Sequence, residues 1–138
     1  MGLDNGILVR KDCVTNKIAQ KLLSRYIDEF SPNHYEIAYW RKCWNIRRAL
    51  IDILDFDGST LNDCDYPITT KNQIDQIISY LKSLNKKTWC NDGGSWEGSI
   101  WEWEEIEDHI KEQIEALKTL KFAMSFDKNI RAFFYDSY

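Results

Sequence analysis

The segment from Tyr39 to Asp52 holds the residue types best suited to binding chemistry. Read as a helix at 100° per residue, it sets Arg41, Asn45, Arg48 and Asp52 along the side opposite an apolar stripe of Tyr39, Cys43, Ile46, Leu50, Ile53 and Leu54. Trp40, Trp44 and Arg47 fall to one flank. Guanidinium forks take phosphate or carboxylate in bidentate fashion, and an indole stacks on a base or a cation. The expected ligand is therefore phosphorylated and ring-bearing. Arg41, Lys42 and Arg48 would hold phosphates, with Asn45 beside them. Trp40 or Trp44, next to Tyr39, would stack the base, and Asp4 or Asn5 would bond a ribose. The same residues also fit a plainer arrangement, in which Arg48 and Asp52 form an i,i+4 ion pair and the indoles pack on a neighbouring helix.

A second aromatic cluster lies near the middle of the chain. Trp89, Trp96, Trp101 and Trp103 fall within 15 residues, beside the pair Gly93-Gly94. Trp103 falls on an apolar helical stripe and reads as core. Trp96 and Trp101 lie off any stripe and are expected either to grip a ligand or to pack a loop on the sheet. The acidic run Glu102, Glu104, Glu105, Glu107 and Asp108 suits a solvated helix start and the positive end of the helix dipole.

Signals for catalysis are poor. The chain has no P-loop, GxSxG, HExxH or GxGxxG motif. His34 sits in a Pro-Asn turn, and His109 borders an apolar helix face. Cys13 has no residue nearby in sequence to activate it. No nucleophile–base pair is nominated, so binding is favoured over turnover. No cofactor or metal is expected, because none of Cys13, Cys43, Cys64 and Cys90 forms a CxxC pair or joins a His at zinc-ligand spacing.

Composition narrows the partners. The chain has 138 residues, 43% hydrophobic and 29% charged, which suits a single globular domain over 1–138. A net charge of −4 argues against a duplex nucleic acid partner. With no signal peptide and no long apolar run, a membrane partner is not expected and the cytoplasm is the expected compartment.

The elements that must position these residues follow from periodicity. Ile7–Lys11 reads as a short strand. Helical spacing runs from Ile18 to Phe30, ended by Ser31-Pro32-Asn33, and again from Tyr39 to Leu54. Tyr66-Pro67-Ile68 is extended. Thr70 and Gln73 make a capping box for a helix carrying Ile74, Ile77, Ile78, Leu81 and Leu84. Residues 85–99 read as loop. Ser99 and Glu102 make a second box, ahead of a long helix with Trp103, Ile106, Ile110, Leu117, Leu120 and Met124. Ala132–Tyr135 is a last strand. The expected fold is α+β, a small antiparallel sheet that includes the N- and C-terminal strands and is packed by about four helices.

Four stretches together resemble a known group. They are Met1-Gly2-Leu3-Asp4, Glu36-Ile37-Ala38-Tyr39-Trp40-Arg41-Lys42, Trp101-Glu102-Trp103-Glu104 and Phe133-Phe134-Tyr135-Asp136-Ser137-Tyr138. In this order they resemble a widespread group of small phage-encoded proteins that start MGLD and carry a YWRK motif. Where members often have a small residue, Asn and His after that motif, this chain has Cys43, Trp44 and Arg47. By analogy with other small phage accessory proteins, the resemblance implies an anti-defence role in the host cytoplasm. That role would be sequestration of a nucleotide immune signal, of the cyclic ADP-ribose or cyclic dinucleotide type, by a homo-oligomer. An enzyme that cleaves such a signal, or an inhibitor that covers a host effector with its aromatic surface, are the alternatives.

Overall fold

The computed structural model describes residues 4–27, 32–41, 44–54, 65–87 and 103–137, with the backbone alone at Asp4, Arg41, Trp44, Asp65, Asp136 and Ser137. The chain runs β1 (Asp4–Arg10), α1 (Lys17–Leu23), β2 (His34–Arg41), α2 (Trp44–Leu54), β3 (Asp65–Ile68), α3 (Lys71–Ser83), α4 (Trp103–Met124) and β4 (Ala132–Ser137). The four strands form one antiparallel sheet in the order β2-β1-β4-β3. The N- and C-terminal strands pair at its centre, with Ile7 opposite Phe134 and Asp4 opposite Ser137. The fold is α+β, as the spacing of apolar residues predicts.

One element differs in kind. The expected helix from Tyr39 splits, because Tyr39, Trp40 and Arg41 complete β2 and only Trp44–Leu54 is helical. Tyr35, Ile37, Tyr39 and Trp40 are aromatic or β-branched residues that fit a pleated surface as well as a helical stripe. Pairing along β1, with Trp40 opposite Asn5 and Tyr39 opposite Gly6, decides between the two. Arg41 therefore cannot share a helix face with Asn45 and Arg48. The helix after Asn16 is also shorter than its periodicity suggests. It stops at Leu23, passes through a 3-10 turn at Ser24–Tyr26 and leaves Ile27 bridged to Tyr35.

Local chemistry sets the remaining boundaries. Asn16 caps α1 by accepting from the backbone N–H groups of Ile18 at 2.8 Å and Ala19 at 3.2 Å. Thr70 and Gln73 form the reciprocal capping box of α3. Asp127 ties the chain after α4 to the start of α1. Its Oδ2 accepts from the backbone N–H of Thr15 at 2.7 Å and of Asn16 at 2.8 Å, and its Oδ1 from that of Asn129 at 2.9 Å.

One face of the sheet carries the core. Ile7, Val9, Ala38, Phe134, Ala132 and Ile68 are closed to water there, beneath Ile106, Ile110, Leu117 and Leu120 of α4 and Ile74, Ile77 and Leu81 of α3. Trp40 belongs to this layer and is fully buried. Its indole N–H donates to Oε1 of Gln113 at 3.0 Å, and Nε2 of Gln113 donates to the carbonyl of Tyr39 at 3.3 Å. One side chain of α4 thus holds the end of an edge strand.

Candidate functional site

Alternation along the strands puts a second set of residues on the opposite face. Leu8 registers with Phe133 and Glu36, Arg10 with His34, and Gly6 with Tyr39 and Tyr135. A bulge between Ile7 and Leu8 keeps β2 in phase by adding one residue there. His34, Glu36, Tyr39, Phe133 and Tyr135 are half-buried, whereas Asn5, Ile7 and Val9, pointing the other way, are closed.

At one end of this face the strand ends form a depression of about 960 Å³. Arg10, Lys11 and Asp12 line it from the end of β1, and Pro32, Asn33 and His34 from the start of β2. Pro67 comes from β3, and Arg131, Ala132 and Phe133 from the start of β4. Two backbone bonds fix its rim: the Arg10 N–H donates to the Arg131 carbonyl at 3.1 Å, and the Lys11 N–H to the Asn33 carbonyl at 2.9 Å. The rings of His34 and Phe133 meet edge to face, 5.8 Å between centroids at 80°.

Three cations, Arg10, Lys11 and Arg131, face one carboxylate, Asp12, among these lining residues. Arg10 bonds Asp12 at 2.9 Å, and that bond holds the Asp12 carboxyl below its ordinary value. Lys11 extends over the ring of Tyr35, with its Nζ 5.5 Å from the centroid. Arg131 donates only to the carbonyl of Ile130, at 3.4 Å, among its described contacts. The local balance is positive in a chain whose net charge is −4. Guanidinium groups beside a half-buried aromatic ring can hold a phosphate and stack a planar ring.

No family model, curated protein or solved structure compared with the chain matches it.

Among the described residues, those singled out from the sequence do not gather into one site. Trp40 is enclosed and its N–H is used, so it offers no stacking surface. Asn5 is also fully buried, on central β1 facing the core. Neither of its amide atoms has a hydrogen-bond partner among the described residues, and it cannot reach a ribose from there. Asn45 is half-buried on α2, where its Nδ2 donates to the Tyr80 hydroxyl at 3.5 Å, and Arg48 is exposed on the same helix. Tyr39 is half-buried on the open sheet face. Asp4 and Arg41 sit opposite each other in the β1–β2 register, and Trp44 begins α2; their side chains lie outside the described set. Lys42, Trp96, Trp101 and the Ser99–Glu102 box lie outside the described residues altogether.

The cations of the depression, Arg10 and Arg131, are not among the residues singled out from the sequence. Arg10 and Arg131 are 121 positions apart, and only the β1–β4 register brings them together. The one local signal was a basic residue just outside each terminal strand's apolar run: Arg10-Lys11 after Val9, and Arg131 before Ala132.

A smaller cleft of about 220 Å³ lies between β2 and α4, lined by Tyr26, Glu36, Tyr39, His109 and Glu112 among others. Nδ1 of His109 stands 3.6 Å from Oε2 of Glu112. Both side chains are substantially solvent-accessible, and a pair of this kind one helical turn apart is an ordinary surface contact. Among the described residues no group of His, Cys, Asp and Glu is arranged to hold a metal ion. No described helix is long and apolar enough to cross a membrane.

Proposed function

We propose that the protein binds a small phosphorylated, ring-bearing ligand of the nucleotide-signal type and holds it without turnover. The observation that carries this is that Arg10, Lys11 and Arg131 line one depression together with Phe133 and His34, whose rings meet edge to face. Its volume, about 960 Å³, is at the upper end of the range of small-molecule sites. Phosphate would lie against the Arg131 head, and the ring against Phe133. The class of ligand is the one expected from sequence, but the residues that would hold it are different.

The resemblance to phage-encoded MGLD/YWRK proteins supplies the setting for this reading. Sequestration of a host immune signal in the infected cytoplasm, by a homo-oligomer, is the role that fits it. Isothermal calorimetry against ADP-ribose variants and cyclic dinucleotides tests the binding. Recovery of the nucleotide intact after denaturing the complex tests the absence of turnover. Saturable heat with intact recovery is expected. Heat with none of these ligands at high protein concentration would discard the reading, and turnover would replace it with an enzyme, for which His34 is the imidazole in the lining of the depression.

A further inference from the structure

We propose that a second anion subsite adjoins the depression across Arg131, and that the ligand is a nucleotide carrying two phosphates rather than one. This rests on the reading above, because it takes the depression at Phe133 as the place of the ring and the first phosphate. A separate cavity of about 350 Å³ lies beside that depression. The two share Pro67, Arg131 and Ala132 in their linings, so they meet where the edge strand β3 runs along the start of β4. Arg131 is the cation that both linings contain.

The second cavity brings two more cations. Lys128 comes from the connection between α4 and β4, and Lys71 is the first residue of α3. Both are exposed. Nζ of Lys71 donates to Oγ of Ser125 at 2.6 Å, which holds the ammonium beside that connection and leaves it two further protons to donate. Among the described residues no hydrogen bond or ion pair engages the ammonium of Lys128.

The carboxylates in these linings are already engaged. Asp127 is closed to water, and its two oxygens accept from the backbone N–H groups of Thr15, Asn16 and Asn129. Asp12, in the first cavity, is bonded by Arg10. Against these two stand Arg10, Lys11, Lys71, Lys128 and Arg131. A single phosphate at Arg131 leaves Lys71 and Lys128 unmatched, and a second phosphate meets them with charge-assisted bonds. Lys128 and Arg131 are three residues apart, so their Cα atoms lie within about 11 Å of each other. Long side chains bridge that span to two phosphates of one nucleotide, whether joined as a diphosphate or set on separate ribose positions.

Calorimetry on the full chain with AMP, ADP and adenosine 3′,5′-bisphosphate tests this. At least one of the two-phosphate ligands should bind about tenfold tighter than AMP. Extra charge would tighten binding anywhere in the depression, so the double variant Lys71→Ala/Lys128→Ala decides the location. It should remove the gain and leave the affinity for AMP unchanged, which also shows that the variant is folded. A gain with ADP alone supports phosphates joined as a diphosphate, and a gain with the bisphosphate alone supports phosphates on separate ribose positions. A gain that survives the double variant, equal affinity for all three ligands, or an equal loss for AMP would overturn the second subsite while leaving the first phosphate in place. No binding by any of the three would overturn both.

Discussion

The indole of Trp40 and the amide of Gln113 satisfy each other inside the core, at 3.0 Å and with both side chains closed to water. The amide's other end holds the Tyr39 carbonyl, so a single glutamine ties β2 to α4. Removing one partner strands the other: Gln113→Leu leaves a buried N–H without an acceptor, and Trp40→Phe leaves a buried carbonyl without its donor. Each should cost about 1–3 kcal/mol from the lost bond alone, Trp40→Phe more because it also opens space. The double variant should cost less than the sum of the two. Urea unfolding of the four proteins in a cycle checks this, and strict additivity would show that the bond contributes nothing.

Asn5 presents the opposite situation, a fully buried amide with no partner among the described residues for either polar atom. An unsatisfied buried amide costs roughly 1–3 kcal/mol. Asn5→Leu, which keeps the approximate volume, should therefore raise the urea midpoint and leave nucleotide binding intact. A lower midpoint would mean that Asn5 is satisfied, by an internal water or otherwise.

Much of the frame was legible in the chain because local chemistry and tertiary structure agree there. Thr70 and Gln73 announce α3 through a capping box that forms as read. Ile106, Ile110, Leu117 and Leu120 keep helical spacing and are all buried. Trp40 is where the two levels part. Its neighbours satisfy a helical period and a strand period at once, and only the presence of β1 alongside selects the strand. The candidate site was illegible for a related reason. Arg10 and Arg131 become neighbours through strand register, and nothing within a window of either residue encodes the other.

Gly6 is predicted to tolerate no side chain. A methyl group there would press on the Ala38 carbonyl, which is backbone and cannot rotate away, and on the Tyr135 ring. Gly6→Ala should cost about 1–3 kcal/mol, and more if the β1–β2 pairing separates. A melting temperature within a degree of the parent would show that the strands yield at this point.

Asp127 should make stability depend on acid pH. Burial pushes its carboxyl up, but hydrogen bonds from the backbone of Asn16, Asn129 and Thr15 outweigh this and leave it below its ordinary value of 3.8. With the folded value depressed, the stabilisation is fully present above the unfolded value and is lost as pH falls through the folded one. The window lies below about pH 4. Asp127→Asn should lower stability by about 1–3 kcal/mol at neutral pH and flatten the stability profile in that acid window. Urea titrations from pH 7 to pH 2 measure both effects, and parallel profiles for parent and variant would remove Asp127 from the account.

The binding site itself is tested most directly by reversing one charge. Arg131 is exposed on the rim of the depression, so Arg131→Glu should change the melting temperature little, as surface substitutions usually alter stability by about 0.5 kcal/mol or less. A charge-assisted contact to phosphate contributes on the order of 1.5–3 kcal/mol. Calorimetry with the tightest-binding nucleotide should therefore show at least a tenfold loss of affinity in Arg131→Glu, with an unfolding midpoint close to the parent's. An affinity equal to the parent's in a folded Arg131→Glu protein would contradict a phosphate site at the ends of β1 and β4.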